Sequence, residues 1–170
     1  AADAVNDIRT GLTRNVQGLQ ALQFVDRGAT VWLQDAALFL RDHREILRLE
    51  WRDVDMRIVA SLDTAFRAPA FARMPRSDNQ PELVQACAVA RRQSGPGYSS
   101  STYVPQSGGL GLEVMDMCVP IITDGQLRGY TVATYALHEI LANLVGPQLS
   151  RSQEVSFTEP AGTRSAMFGS

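Results

Sequence analysis

Residues 113–145 read EVMDMCVPIITDGQLRGYTVATYALHEILANLV, and this stretch decides the fold. Apolar residues alternate with others along 113–122 and again along 126–135, the period-two pattern of strands with two distinct faces. Thr123, Asp124 and Gly125 stand between the runs. Asp-Gly at that place is a strong hairpin signal, because a tight two-residue turn needs positive φ at both central positions. An apolar helical pattern begins at once at Ala136, and Gly146-Pro147 stops it. The expected unit is a strand hairpin that feeds straight into a helix.

A two-residue turn implies a register. Val119 then lies opposite Tyr130, Met117 opposite Val132 and Met115 opposite Thr134, all on one face. Cys118 opposite Thr131, Pro120 opposite Gly129 and Asp116 opposite Ala133 share the other. The second set is small and suits close approach of a helix. The first offers Met, Tyr, Val and Thr, an adaptable apolar wall with hydroxyl groups, which is the usual make-up of a small-molecule pocket. Cys118 would point away from Cys87 on the pocket-side helix, so two free, buried thiols are expected.

Upstream, Ile8, Leu12, Val16, Leu19, Leu22, Val25, Ala29, Trp32, Ala36 and Phe39 recur at gaps of three and four, the spacing of one helix face. A single helix over 3–42 would be roughly 60 Å long, with a break near Asp26-Arg27-Gly28 as the alternative. Leu47, Leu49 and Trp51 then alternate with Arg48, Glu50 and Arg52, and a second alternating run covers 56–61. Two strands joined near 53–55 fit this pattern. Residues 66–80 are irregular, with Pro69 and Pro75. Asp78 or Asn79 can cap a helix that opens at Pro81 and runs to about Arg92. A third strand is expected over 98–104, and a strand–turn–strand pattern closes the chain within 153–168.

At 170 residues the chain suits one domain with an appendage and can bury roughly 70% of its unfolded surface. It is 45% hydrophobic and 20% charged, with a net charge of −2. That balance carries no electrostatic footprint for nucleic acid or anionic lipid. All 16 basic residues are Arg, a codon effect expected of a GC-rich bacterial genome. No run of 18 apolar residues and no signal peptide is visible.

The order of elements resembles the extracytoplasmic PAS-like sensor domains, often called Cache domains, of bacterial histidine kinases and chemoreceptors. The residues that carry the resemblance are Val119-Pro120-Ile121-Ile122-Thr123-Asp124-Gly125 followed by Leu127-Arg128-Gly129-Tyr130-Thr131-Val132. The long leading helix, the strand pair with an acidic turn and the variable loop precede them in the same order. The resemblance implies an α+β fold: a long N-terminal helix packed on a five-stranded antiparallel sheet, with an extra C-terminal hairpin. It divides the chain into a juxtamembrane and dimerisation helix over 1–45, a sensor domain over 46–147, and a hairpin over 148–170 that either joins the same sheet or begins a second unit. It further implies a periplasmic domain between two membrane helices, a homodimer through the N-terminal helix, and a small organic ligand. The rival reading is a cytoplasmic PAS-type dimerisation or interaction module without a ligand.

The candidate ligand-binding residues are Tyr130, Thr134, Met115 and Met117 on the hairpin, Tyr98, Ser100 and Tyr103 beside the opening, and Arg67 and Arg73 in the irregular loop. Arg76 belongs with the last two. Guanidinium groups match carboxylate geometry, so a carboxylate ligand is expected there. Members that bind amino acids place an Asp where this chain has Thr134, and their Arg-x-Trp signature is missing from 66–80. An amino-acid ligand is thereby disfavoured.

Catalytic and metal readings fail on spacing. His43 and His138 have Glu45 and Glu139 two and one residues away, which does not bring ligands to one helix face. Ser99-Ser100-Ser101 lacks a nucleophile elbow. The Gly108–Gly111 segment precedes a strand and lacks the Lys of a phosphate loop. No catalytic residue, cofactor or metal is assigned.

Overall fold

The computed structural model describes residues 2–22, 28–77, 79–144, 155–158 and 164–168. Two helices lead, α1 (Ala2–Gln20) and α2 (Gly28–Asp42). Strands β1 (Ile46–Arg52) and β2 (Ile58–Asp63) follow, then α3 (Pro81–Gln93) and the short strands β3 (Gly97–Tyr98) and β4 (Thr102–Pro105). The hairpin β5 (Gly111–Thr123) and β6 (Gln126–Ala136) runs directly into α4 (Leu137–Leu144), and β7 (Val155–Thr158) and β8 (Arg164–Phe168) close the chain. The main sheet is antiparallel, with order β2-β1-β6-β5-β3 and β4 also paired to β5. β7 and β8 form a separate two-stranded sheet. The architecture is the expected α+β one, with the third strand divided in two.

The leading rod is divided as well. Ala21 and Leu22 donate to the carbonyls of Gly18 and Leu19, three residues back, which tightens and ends the last turn of α1. Gly28 opens α2 at φ +82°. The apolar stripe read from the sequence is nonetheless the buried one. Val16, Leu19, Leu22, Trp32 and Ala36 pack with Leu49, Trp51, Met115, Met117, Val119, Ala133 and Tyr135. Both helices therefore cover one face of the sheet; Val25 lies outside the described residues.

The hairpin turn is as expected, but the register beyond it is not. Asp124 and Gly125 have φ of 53° and 75°, and Thr123 faces Gln126. One extra residue then enters β6, because Ile122 faces Leu127 while Ile121 faces Gly129. This bulge slips the pairing by one, which exchanges the faces of one strand relative to the other. Pro120 faces Tyr130, Cys118 faces Val132 and Asp116 faces Thr134. Tyr130 and Thr134 do lie on the side away from α1 and α2. Met115 and Met117 do not: they belong to the core under those helices, so their assignment to a pocket wall is corrected.

The same slip overturns the expectation of free thiols. Cys118 turns toward α3, and Cys87 on α3 bonds to it with the Cα atoms 5.3 Å apart. α3 packs over this part of the sheet through Leu83, Ala86 and Ala90 against Met56, Tyr130 and Val132. Its first turn carries Pro81 at the start, but Gln80 occupies the cap position and makes no side-chain capping bond. Of the two expected caps, Asn79 is not at the cap position and Asp78 lies outside the described residues.

Candidate functional site

The sheet face away from α1 and α2 has two halves. Near the hairpin turn it is apolar and closed by α3. Farther along it is charged and closed by the irregular residues 64–77, where Phe71 packs with Leu47, Val104, Val114 and Ala136. β1 brings Arg48, Glu50 and Arg52 to this face, because alternate residues of a strand point the same way. The β1–β6 register sets Arg48 beside Thr134 and Glu50 beside Val132. Asp116 follows on β5, opposite Thr134.

Arg76 joins these strands from above. Its Nη1 and Nη2 donate to the two carboxylate oxygens of Asp116, each at 3.0 Å. Its Nε donates to Glu50 Oε2 at 3.0 Å, and Nη1 also reaches Gln80 Oε1 at 3.2 Å. The guanidinium lies 4.4 Å over the ring of Phe71. Glu50 accepts further bonds from Arg48 Nε and Arg52 Nε, both at 2.8 Å. Arg48 Nη1 continues to Asp63 at 3.2 Å, and the Thr134 hydroxyl donates to Asp116 Oδ1 at 2.6 Å.

Little water reaches these charges. The side chains of Glu50 and Arg52 are fully buried, that of Arg76 is 3% exposed and that of Asp116 10%. Burial by itself would raise the Glu50 carboxyl; Arg76 foremost, then Arg52 and Arg48, outweigh it and hold the group at about 2. Burial likewise works against the charge on Arg76, and Asp116 and Glu50 more than offset it, so its pKa is raised. Two polar atoms at this face have no hydrogen-bond partner among the described residues: Arg52 Nη2 and Asp63 Oδ1. A cleft of about 270 Å³ opens beside Arg76, lined by Arg48, Asp63, Pro69, Phe71, Ala72 and Pro75.

Of the residues proposed from the sequence, Thr134 and Arg76 enter this network. Tyr130 packs in the apolar half under α3. Tyr98 and Tyr103 are exposed on the edge strands β3 and β4, and Ser100 is exposed between them. Exposed Arg73 donates to the Gln106 carbonyl at 3.1 Å. Arg67 lines a different cleft with Arg44, Leu47, Thr64, Phe66 and Glu139. Arg76 does meet carboxylates, as its chemistry suggested, but they are the chain's own. Glu50, Arg48, Arg52 and Asp116 were missed. The signal for the first three was the run Arg-Leu-Glu-Trp-Arg, which places plus, minus and plus on one strand face. Asp116 was hidden by the register slip.

Among the described residues no helix is long and apolar enough to cross a membrane. No family model matches the sequence, and no curated protein does. Solved structures do match. The ligand-binding domain of the amino acid chemoreceptor PctC of Pseudomonas aeruginosa PAO1, in complex with GABA, aligns with a TM-score of 0.58 at 18% identity over 96% of this chain and 68% of that one. The sensory domain of the Campylobacter jejuni chemoreceptor Tlp3, with isoleucine bound, aligns with a TM-score of 0.56 at 12% identity over 95% of this chain and 65% of that one. The extracellular domain assigned to a histidine kinase, vpHK1S-Z8, gives a TM-score of 0.53 at 11% identity, over 84% of this chain and 62% of that one. The chain thus spans about two thirds of the length of these solved domains. What the likeness establishes is the fold, which this chain shares with these solved sensor domains.

Proposed function

We propose that residues 46–147 are the extracytoplasmic, small-molecule-binding sensor domain of a membrane-bound bacterial signalling receptor, most specifically a sensor histidine kinase. The observation that carries this reading is the charge network held between a rigid sheet and an irregular covering segment, with a cleft beside it. A ligand needs only different affinity for two arrangements of that segment to produce a signal, and no chemistry is required. The Cys87–Cys118 bond supports an oxidising, extracytoplasmic compartment, since structural disulfides are rare in the reducing cytosol. It speaks against the cytoplasmic interaction module.

The objection to an amine-bearing ligand also loses force. The carboxylate absent at Thr134 is present directly across from it, on Asp116, and hydrogen-bonded to it. PctC and Tlp3 were solved with GABA and isoleucine, which makes small amine-bearing molecules sensible first probes here. A homodimer through the N-terminal helices, with residues 148–170 opening a second unit, completes the proposal. Sedimentation of the chain joined to its neighbouring segments checks the dimer.

The test of the sensor reading is a thermal-shift screen with small carboxylates, aromatic acids, amino acids and amines. A ligand at a hundred times its dissociation constant adds about 2.7 kcal/mol, which raises the melting temperature by roughly 5–10 °C for a chain of this size. Flat melting curves throughout, with the protein natively folded, would count against the sensor reading.

A further inference from the structure

The surroundings of Arg76 form a complete recognition cage for a guanidinium ion. Asp116 takes it edge-on through two parallel hydrogen bonds, the geometry that distinguishes a planar guanidinium from a point charge. Phe71 supports its face at 4.4 Å, as aromatic rings do for cations. Glu50 and Gln80 accept the remaining edge. Cages of this kind are unremarkable between regular elements. Here the occupant is carried by residues 64–77, which form neither helix nor strand. Those residues are tied down by a few bonds, among them Thr64 to Leu47, Arg73 to Gln106, and Gln106 to Ala70.

Charge decides what can replace it. Arg48, Arg52 and Arg76 stand against Glu50, Asp63 and Asp116, so the site is balanced as it is. With Arg76 withdrawn, one negative charge remains in excess and Asp116 is left buried without its partner, a costly arrangement. An incoming anion would unbalance the filled site and deepen the excess negative charge of the vacated one; an incoming cation restores balance to the vacated site. The unpartnered Asp63 oxygen on the wall of the adjoining cleft adds an acceptor where the rest of such a molecule would extend, and the buried, unpartnered Arg52 Nη2 offers a donor to any acceptor it bears.

We propose that this sensor recognises a small guanidinium-type cation, and that Arg76 fills the cage as a tethered internal substitute until the ligand displaces it and frees the covering segment. The proposal rests on the sensor reading and names the ligand class of the same site. It sets aside the carboxylate expected from Arg67 and Arg73.

The experiment removes the internal substitute and supplies one from solution. Arg76→Ala is expected to melt roughly 10 °C below the parent protein. Methylguanidinium chloride at tens of millimolar should restore at least half of that loss. Sodium acetate and tetramethylammonium chloride at equal ionic strength should not, and adding Asp116→Asn should abolish the rescue. In the parent protein, hydrogen exchange within residues 64–77 should rise saturably with methylguanidinium and not with either control salt. Rescue by acetate, rescue that survives Asp116→Asn, or a folded Arg76→Ala indifferent to methylguanidinium overturns the proposal. If Arg76→Ala fails to fold, the exchange measurement on the parent protein decides alone, and no response there overturns it. A parent protein that answers a carboxylate in the thermal screen but no cation leaves the sensor reading standing and removes this one.

Discussion

Gly129 lies against the backbone carbonyl of Arg52, so close that a Cβ on Gly129 would stand 2.3 Å from that oxygen. The contact sits at the bulge that sets the register of the whole hairpin. Gly129 also holds φ +152°, a region that side-chain-bearing residues avoid. Gly129→Ala should therefore cost at least about 2 kcal/mol in urea unfolding. At the turn, Gly125 has open space around its Cβ position and only its φ of +75° to lose, so Gly125→Ala should cost about 1 kcal/mol. Equal effects at the two glycines would contradict the packing argument.

The link between α3 and the sheet is covalent, and it closes a loop of 31 residues. Chain-entropy arguments value such a loop at roughly 3–4 kcal/mol. Reductant should lower the urea midpoint accordingly, and Cys87→Ala should do the same without reductant. Alkylation of denatured, unreduced protein should add no mass; a labelled thiol would show the bond to be absent.

Glu50 makes folding stability depend on acid. Its carboxyl titrates at about 2 in the fold against an ordinary 4.5. Between these values the unfolded chain takes up a proton that the folded one refuses, so stability falls as pH falls. The contribution is fully present above about pH 5 and lost on descent to about pH 2, on the order of 3 kcal/mol in all. Glu50→Gln should flatten this part of the stability–pH curve while lowering its plateau near neutrality. A curve equally steep in the variant would locate the acid sensitivity elsewhere.

Thr134 tests whether the hydroxyl serves Asp116 or only fills space. Thr134→Val keeps the shape and removes the donor at 2.6 Å. Loss of a hydrogen bond to a buried charged group costs about 1.5–3 kcal/mol. Thr134→Ser should retain most of the bond and lose mainly the methyl packing. If the Val variant proves as stable as the Ser variant, the hydroxyl contributes nothing there.

Much of the architecture was legible before any coordinates. Asp124-Gly125 announced the turn because few other residue pairs tolerate its backbone angles. The three-and-four spacing from Ile8 to Phe39 identified the buried stripe of both helices, since that periodicity is a property of the helix itself. Arg48, Glu50 and Arg52 show the limit of the same logic. Alternation told that they share a face, but a charged strand face reads as solvated unless something covers it, and what covers it is an irregular segment without a periodic signature.

The chain alone located the hairpin, its turn, the first strand pair and the helical stripe, because those preferences act over a few neighbouring residues. It left the leading helix and the third strand undivided. Only the tertiary structure decided which side chains meet. A single extra residue at the bulge turned Cys118 toward Cys87 and Asp116 toward Thr134, and Arg76 reached Glu50 and Asp116 across 26 and 40 residues of chain. Such pairings are energetically favourable only after the sheet has brought their partners together, and no local pattern records that.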